Sequence, residues 1–190
     1  MKRLNREVPK RRRREKKTDY NQRLKLLKSK GPRIVIRKTN NNTIAQITTW
    51  SEEGDNTILQ AEAQELDEMG WNGHMGNLPS AYLTGYLIGK RAQEEGIDKC
   101  ILDMGLQENT KGNRVYAAIK GARDGGLEIP VGEEMMPSEE RIQGKHIEEY
   151  ASEMNSKEKK KHFSSLMEKD LDPEKISENF EKVKDNIEGE

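Results

Sequence analysis

Short apolar runs separated by polar turns predict a mixture of strands and helices in the middle of the chain. Segments 33–38 and 43–50 are rich in β-branched residues, and three asparagines lie between them, a pattern that predicts a hairpin with a polar tip. A third strand is expected around 57–63, after a Glu-Gly-Asp turn, which would extend the hairpin to a three-stranded meander.

A helix, a short strand and a second helix follow in the pattern. Asn77-Leu78-Pro79-Ser80 is typical of a helix start, and the helix is expected to cover 81–95 and to stop at Gly96. A mostly apolar strand at 99–103 is followed by apolar residues at helical spacing up to Gly125. A strand that follows a helix implies a crossover and parallel pairing, so the centre is predicted to be α/β.

Two glycines lie four residues apart inside the first of these helices. Because they lack side chains, Gly85 and Gly89 allow another backbone to approach closely. Paired membrane helices use the same spacing, but Lys90 and Arg91 follow at once and rule out that interpretation. Close packing of this helix on the sheet is the better interpretation.

The amino-terminal segment has almost nothing apolar to bury. Its first eighteen residues are expected to be disordered in isolation. Asp19, followed three residues later by Gln22, resembles a capping box and predicts a short helix that ends near Gly31. The apolar side of this helix is predicted to contain Tyr20, Leu24 and Leu27.

From Val131 onward the pattern predicts helices without strands. One helix is expected to open at Pro137-Ser138 and another at Asp172-Pro173, and the apolar stripe of the second must be buried on the body or on a partner. The polar stretch 155–161 is expected to be a linker. The chain therefore divides into an arm with a short helix (1–31), an α/β core (32–130) and a helical extension (131–190).

Charge is distributed unevenly along the chain, although the formal net charge is zero. Residues 1–38 contain 17 Lys and Arg against 3 Asp and Glu, and the remainder contains 17 against 31. This asymmetry indicates a polyanionic partner for the amino-terminal end. The single cysteine, Cys100, provides no internal disulfide, and the chain has no long apolar run or signal peptide, so a cytoplasmic, non-membrane protein is expected.

The arginine-rich arm is the strongest functional pattern. Lys and Arg side chains that neutralise phosphates release counterions, and arginine adds paired hydrogen bonds and stacking. RNA contact is therefore favoured over a nuclear-import signal or a solvated face, although composition does not separate RNA from DNA. The polar hairpin is equally consistent with an RNA contact and with an ordinary surface hairpin, and Lys111 and Arg114 could touch phosphate where a helix begins.

An enzymatic alternative rests on one carboxylate. Asp103 ends a predicted strand and precedes Gly105, a placement that some Mg²⁺-dependent nucleases use. A two-metal site needs several converging carboxylates, whereas Asp98, Glu108 and Asp124 are only near in sequence, at predicted loops or helix ends. The histidines are isolated from cysteine, and no Gly-Lys-Ser/Thr phosphate loop occurs. No catalytic residues, metal or other cofactor are expected.

Several segments occur in the order found in one known family. They are 8–15, 18–20, 23–29, 32–33, 37–38, 76–85, 102–106, 125–130 and 141–150. In these segments the chain resembles the archaeal branch of universal large-subunit ribosomal protein eighteen, whose eukaryotic counterpart also binds 5S rRNA. At the hairpin tip it departs from relatives that often have Ser-Asn-Lys-His, because Thr39-Asn40-Asn41-Asn42 loses a positive charge, which puts direct phosphate contact at the tip in doubt. The role of the 157–161 lysine run is left open.

The resemblance implies a fold and a function. The fold is a three-layer, ribonuclease-H-like α/β body of the translational-machinery type, with a mixed sheet, a basic arm, a helical extension and no catalytic carboxylates. The function is structural: binding of 5S rRNA and adjacent 23S rRNA in the central protuberance, beside neighbouring large-subunit proteins, with no small-molecule substrate. The alternatives are a metal-dependent RNA-processing enzyme and an RNA-binding protein outside the ribosome. Together with Lys111 and Arg114, the expected RNA contacts are Arg11, Arg12, Arg13, Arg14, Lys16, Lys17, Tyr20, Arg23, Lys25, Lys28, Arg33, Arg37, Lys38, Asn41 and Gln46.

Overall fold

The computed structural model describes residues 8–169 and 171–189. Its strands are β1 (Arg33–Lys38), β2 (Thr43–Trp50), β3 (Asp55–Glu62) and β4 (Ile101–Asp103). Its α-helices are α1 (Arg11–Arg14), α2 (Tyr20–Leu27), α3 (Leu78–Glu94), α4 (Arg114–Asp124), α5 (Glu139–Gln143), α6 (Lys145–Ser152), α7 (Ser156–His162), α8 (Ser164–Met167) and α9 (Ile176–Glu188). None of the helices in this part of the chain is long and apolar enough to cross a membrane.

The four strands form one mixed sheet in the order β3-β2-β1-β4. Strands β1 and β2 pair antiparallel with Ile34 opposite Ile47, and β2 pairs antiparallel with β3. Strand β4 pairs parallel with β1, with Leu102 beside Ile34. The predicted meander, the crossover and the α/β class are confirmed, although β3 begins two residues earlier than expected, at Asp55.

Helices α3 and α4 lie side by side, and their glycines face each other. A Cβ atom on Gly85 would lie 1.8 Å from the carbonyl oxygen of Ala118, and one on Gly121 would lie 2.0 Å from that of Tyr82. The backbones are therefore too close for any side chain at these positions. The prediction that Gly85 and Gly89 serve packing on the sheet is wrong, because Gly89 likewise meets α4, 2.6 Å from the oxygen of Ala122.

Neighbouring side chains of β1 point to opposite faces of the sheet. Ile34 and Ile36 are fully buried in the apolar core with α3 and α4. Arg33 points to the other face, where Asp55 links it to Arg23 of α2. Helices thus lie on both faces, but this arrangement alone does not establish the ribonuclease-H-like class, which stays a prediction.

The apolar stripe of α9 is buried on the body of the same chain. Ile176 and Val183 are fully buried, and the ring of Phe180 lies 5.5 Å from that of Tyr82 in α3. The stripe therefore needs no external partner. The predicted linker at 155–161 is wrong, because Asn155 and Glu158 form a capping box that starts α7 in this polar stretch.

The basic arm contains one turn of helix, α1, in the described residues. Lys16 then adopts a left-handed conformation with φ 52°, and the Lys17 amide donates to the Arg12 carbonyl at 2.8 Å. The chain reverses at this point and brings Lys17 beside Arg12. Residues 1–7 of the arm lie outside the described residues, and the predicted disorder of the isolated arm stays a prediction.

Candidate nucleic-acid interface

Most cations of the arm and of α2 point into solvent. Glu15 pairs with Lys17 at 3.1 Å and approaches Arg11 at 3.9 Å, but exposed pairs of this kind stabilise little. The cations are therefore available to an external polyanion. The exposed members of the predicted set on this segment are Arg11, Arg12, Arg13, Arg14, Lys16, Lys17, Lys25 and Lys28.

Asp19 caps the start of α2, but the reciprocal Gln22 contact of the predicted capping box is not formed, and the helix packs differently than predicted. Asp19 accepts hydrogen bonds from the amides of Asn21 and Gln22 at 2.9 and 3.2 Å. The predicted apolar side is wrong at Leu24, which is 57% exposed, because Arg23 on the neighbouring position is turned to the body instead. Tyr20 is half-buried, with the Lys10 amine 4.8 Å from the centre of its ring.

Arg33, one of the predicted RNA contacts, is buried in the structure. Its side chain is 1% exposed. The guanidinium donates to Asp103 at 3.1 Å and forms an ion pair with Asp55 at 2.7 Å. Two carboxylates from separate strands therefore hold its charge inside the protein, and RNA contact by Arg33 stays a prediction.

Asp55 connects the buried arginine to α2. Arg23 donates two hydrogen bonds to its carboxylate, at 2.8 and 2.9 Å. Partial burial works to raise the pKa of Asp55, but the contacts with Arg23 and Arg33 outweigh it and hold that pKa below its ordinary value. The same hydrogen bonds raise the pKa of Arg23. Both groups are therefore charged at neutral pH. The bidentate ion pair between Arg23 and Asp55 anchors α2 to the sheet.

Asp103 is surrounded by donors and is ill suited to bind a cation. Its carboxylate accepts from the Gly105 amide at 2.9 Å and from Arg33, and it lies 3.5 Å from Arg37. Arg37 also donates to the carbonyl oxygens of Asp103 and Ile36, both at 2.9 Å. Two guanidinium groups would repel Mg²⁺ from this position. Within residues 8–169 and 171–189, no group of three His, Cys, Asp or Glu side chains is placed to hold a metal ion.

Arg114, one of the predicted RNA contacts, holds the hairpin tip in place. Its guanidinium donates to the carbonyl oxygens of Thr39 and Gly76 at 2.8 and 2.7 Å. Asn113 caps the start of α4, and Lys111 remains exposed in the preceding turn. The side chain of Arg114 thus already has an internal role, whereas that of Lys111 is directed to solvent.

The other predicted contacts on the sheet are Lys38, Asn41 and Gln46. Asn41 is exposed at the hairpin tip, and Lys38 is half-buried at the end of β1. The Gln46 amide donates to Gln60 of the neighbouring strand at 2.6 Å, which fixes the orientation of both side chains. All three side chains therefore remain at least partly accessible to an external ligand.

The structure brings four of the predicted cations to one place. Arg12 and Lys17 of the arm, Arg23 of α2 and Arg37 of β1 line a cavity of about 140 Å³ between the arm and the sheet. Sequence spacing did not indicate this grouping, because the four residues come from three different elements and a turn. Their convergence depends on the reversal at Lys16 and on the ion pairs beneath α2.

An α/β body with exposed cations grouped at one end is typical of one class, the structural proteins that bind a polyanion. Comparison with known families identifies the group within this class. The model of the family described as "Ribosomal large subunit proteins 60S L5, and 50S L18" matches residues 5–98 and 93–132. The chain belongs to this family, which confirms the family resemblance found in the sequence, and it is a protein of the large ribosomal subunit. The match ends before α5, so it does not include the carboxyl-terminal helices.

Proposed function

We propose that this protein binds 5S rRNA and adjacent 23S rRNA in the central protuberance, as a structural constituent without catalytic activity. Residues 1–31 act as the RNA-binding arm, residues 32–130 act as its platform, and residues 131–190 cover α3 and contact neighbouring large-subunit proteins. Membership in the family of 60S L5 and 50S L18 supports the ribosomal role. The observation that best supports RNA binding is the exposure of the arm's cations. By contrast, the buried Arg33 is neutralised by Asp55 and Asp103.

The proposed RNA contacts differ from those expected from sequence in two respects. Arg33 is omitted because it is buried, and Arg114 is omitted because it clamps the hairpin tip. The proposed contacts are Arg11, Arg12, Arg13, Arg14, Lys16, Lys17, Tyr20, Arg23, Lys25, Lys28, Arg37, Lys38, Asn41, Gln46 and Lys111. Arg23 remains in the set because its guanidinium has further N–H groups that do not donate to Asp55 and can bind RNA.

The test is a comparison of RNA affinities over a range of salt concentrations. The purified protein should bind 5S rRNA more tightly than an unrelated folded RNA of similar length. With about six phosphate contacts, the slope of log K against log salt should be roughly −4 to −5. A chain that lacks residues 1–18 should show a shallower slope and a smaller footprint on 5S rRNA. Equal affinity for the two RNAs would contradict the proposal.

A further inference from the structure

We propose that the cavity between the arm and the sheet is a preformed seat for one phosphate group of the bound RNA. This inference rests on the proposed function and adds a specific binding site to it. The cavity has a volume of about 140 Å³, and Arg12, Lys17 and Arg37 reach it from different parts of the chain. One water molecule needs roughly 10–15 Å³ of a cavity volume measured in this way, so the cavity has room for several waters or for one phosphate group.

The arm side of the seat is ordered by its own backbone. The reversal at Lys16 and the hydrogen bond from the Lys17 amide to the Arg12 carbonyl hold the two side chains on one side of the turn. Arg12 donates through Nε to Thr18 at 2.8 Å. This bond fixes the plane of the guanidinium and leaves its terminal nitrogens to donate to another acceptor.

The sheet side is ordered by carboxylates that lie beneath it. Arg37 is held by the backbone and side chain of Asp103, yet its side chain is 44% exposed and so remains open to a ligand. Gly105 makes this placement possible: it has φ 62°, and a Cβ atom there would lie 3.1 Å from Arg37. Arg23 is fixed in the same way by Asp55. Because these guanidinium groups are already ordered, less entropy is lost when a ligand binds.

The charge of the cavity fits a monoanionic phosphodiester. Four cations line it, against two carboxylates, Asp19 and Asp103. Asp19 is engaged by the first amides of α2, and Asp103 by Arg33 and Gly105. The lining residues carry a formal excess of two positive charges, which the pairing of Lys17 with Glu15 lowers to one and which still favours an anion. Guanidinium groups bind phosphate oxygens in pairs, which gives the seat a geometric as well as an electrostatic preference.

The test is phosphate-ethylation interference on 5S rRNA with the full chain and two single variants, Arg12→Gln and Arg37→Gln. Ethylation removes the negative charge of one phosphate at a time. If both residues hold the same phosphate, each variant should lose the interference at one shared position of the RNA. Each should also bind about ten-fold more weakly, the size expected for one charged hydrogen-bonding group. Arg141→Gln, an exposed site on α5, is the matched control and should change affinity less than two-fold.

The outcomes separate the two proposals. Loss at the same phosphate in both variants supports the seat, because two residues 25 positions apart in the chain would then share one ligand. Loss at two different phosphates, or an unchanged pattern, would overturn the seat while leaving RNA binding intact. If Arg37→Gln proves unfolded by circular dichroism, Lys17→Gln replaces it, because Lys17 is exposed and outside the core. Wild-type protein that does not prefer 5S rRNA would remove the proposed function and the seat with it.

Discussion

The two faces of the sheet are covered by opposite kinds of contact. On one face, α3 and α4 pack against Ile34 and Ile36 with no exposed surface left on those side chains. On the other face, α2 is attached through Asp55 to a buried arginine, while Leu24 of the same helix lies in solvent. The first face is stabilised by the removal of apolar surface from water, and the second by a few directional ion pairs.

Because of this difference, the two faces are expected to have separate roles in stability and in RNA binding. Apolar packing does not depend on pH and keeps the platform in one arrangement. Ion pairs depend on pH, and partly exposed ones depend also on salt. The fold should therefore survive changes that loosen the arm, whereas changes in the α3–α4 contact should unfold the whole protein. Three substitutions and one pH dependence test this difference between the two faces, and they are given from the largest expected effect to the smallest.

Gly85→Ala should have the largest effect on stability. The new Cβ would lie 1.8 Å from the Ala118 carbonyl oxygen, so α3 and α4 must separate. We expect a loss of about 3 kcal/mol or more in the free energy of unfolding, measured by urea denaturation. Gly31→Ala is the matched control, because a Cβ atom at that position would have nothing within 4 Å, and it should be neutral or slightly stabilising. Equal effects of the two variants would contradict the close helix contact.

Asp103→Asn should have the second-largest effect. The change removes the negative charge that neutralises Arg33 in the interior, although Asp55 still pairs with it. We expect a loss of about 2 kcal/mol in the free energy of unfolding. Asp98→Asn, an exposed carboxylate just before the same strand, should change it by less than about 0.5 kcal/mol. A stability loss no greater than that of the control would show that the buried ion pair contributes nothing.

The elements with strong local patterns and the pairing of consecutive strands were predictable from sequence, whereas contacts between distant elements were not. The hairpin, β4 and the Asn77 cap depend on neighbouring residues, and all are confirmed. The burial of Arg33 depends on carboxylates that come from two distant strands, so no local pattern reveals it.

Two predictions are wrong, and their physical origins differ. The spacing of Gly85 and Gly89 indicated a close backbone approach, but the identity of the approaching element depends on tertiary packing. The polarity of the stretch 155–161 predicts a linker, yet helix capping by Asn155 is itself a local pattern in the sequence. In this stretch, the cap and not the polar composition decides the local structure.

Asp55→Asn tests whether the ionic face positions the arm. Removal of a negative charge beside a cationic RNA surface would by itself strengthen RNA binding. If Asp55 instead positions Arg23 and α2, the variant should bind 5S rRNA about five-fold more weakly, as expected for the loss of about 1 kcal/mol of ion pairing. Glu53→Gln, an exposed acid in the same turn, should bind equally or slightly more tightly. Filter binding at constant salt measures both, and tighter binding by Asp55→Asn would contradict the positioning role.

The smallest expected effect is the pH dependence of the same contact. The pKa of Asp55 is lower in the folded protein than its ordinary value, so the unfolded chain takes up a proton first as the pH falls. The contribution of Asp55 to stability is therefore complete above that ordinary value, near about pH 4, and is lost as the pH falls through the folded-state pKa. Between pH 5 and the acid limit of folding, the free energy of unfolding should fall less steeply in Asp55→Asn than in the wild type. Parallel curves would show that Arg23 and Arg33 do not hold Asp55 in its charged form.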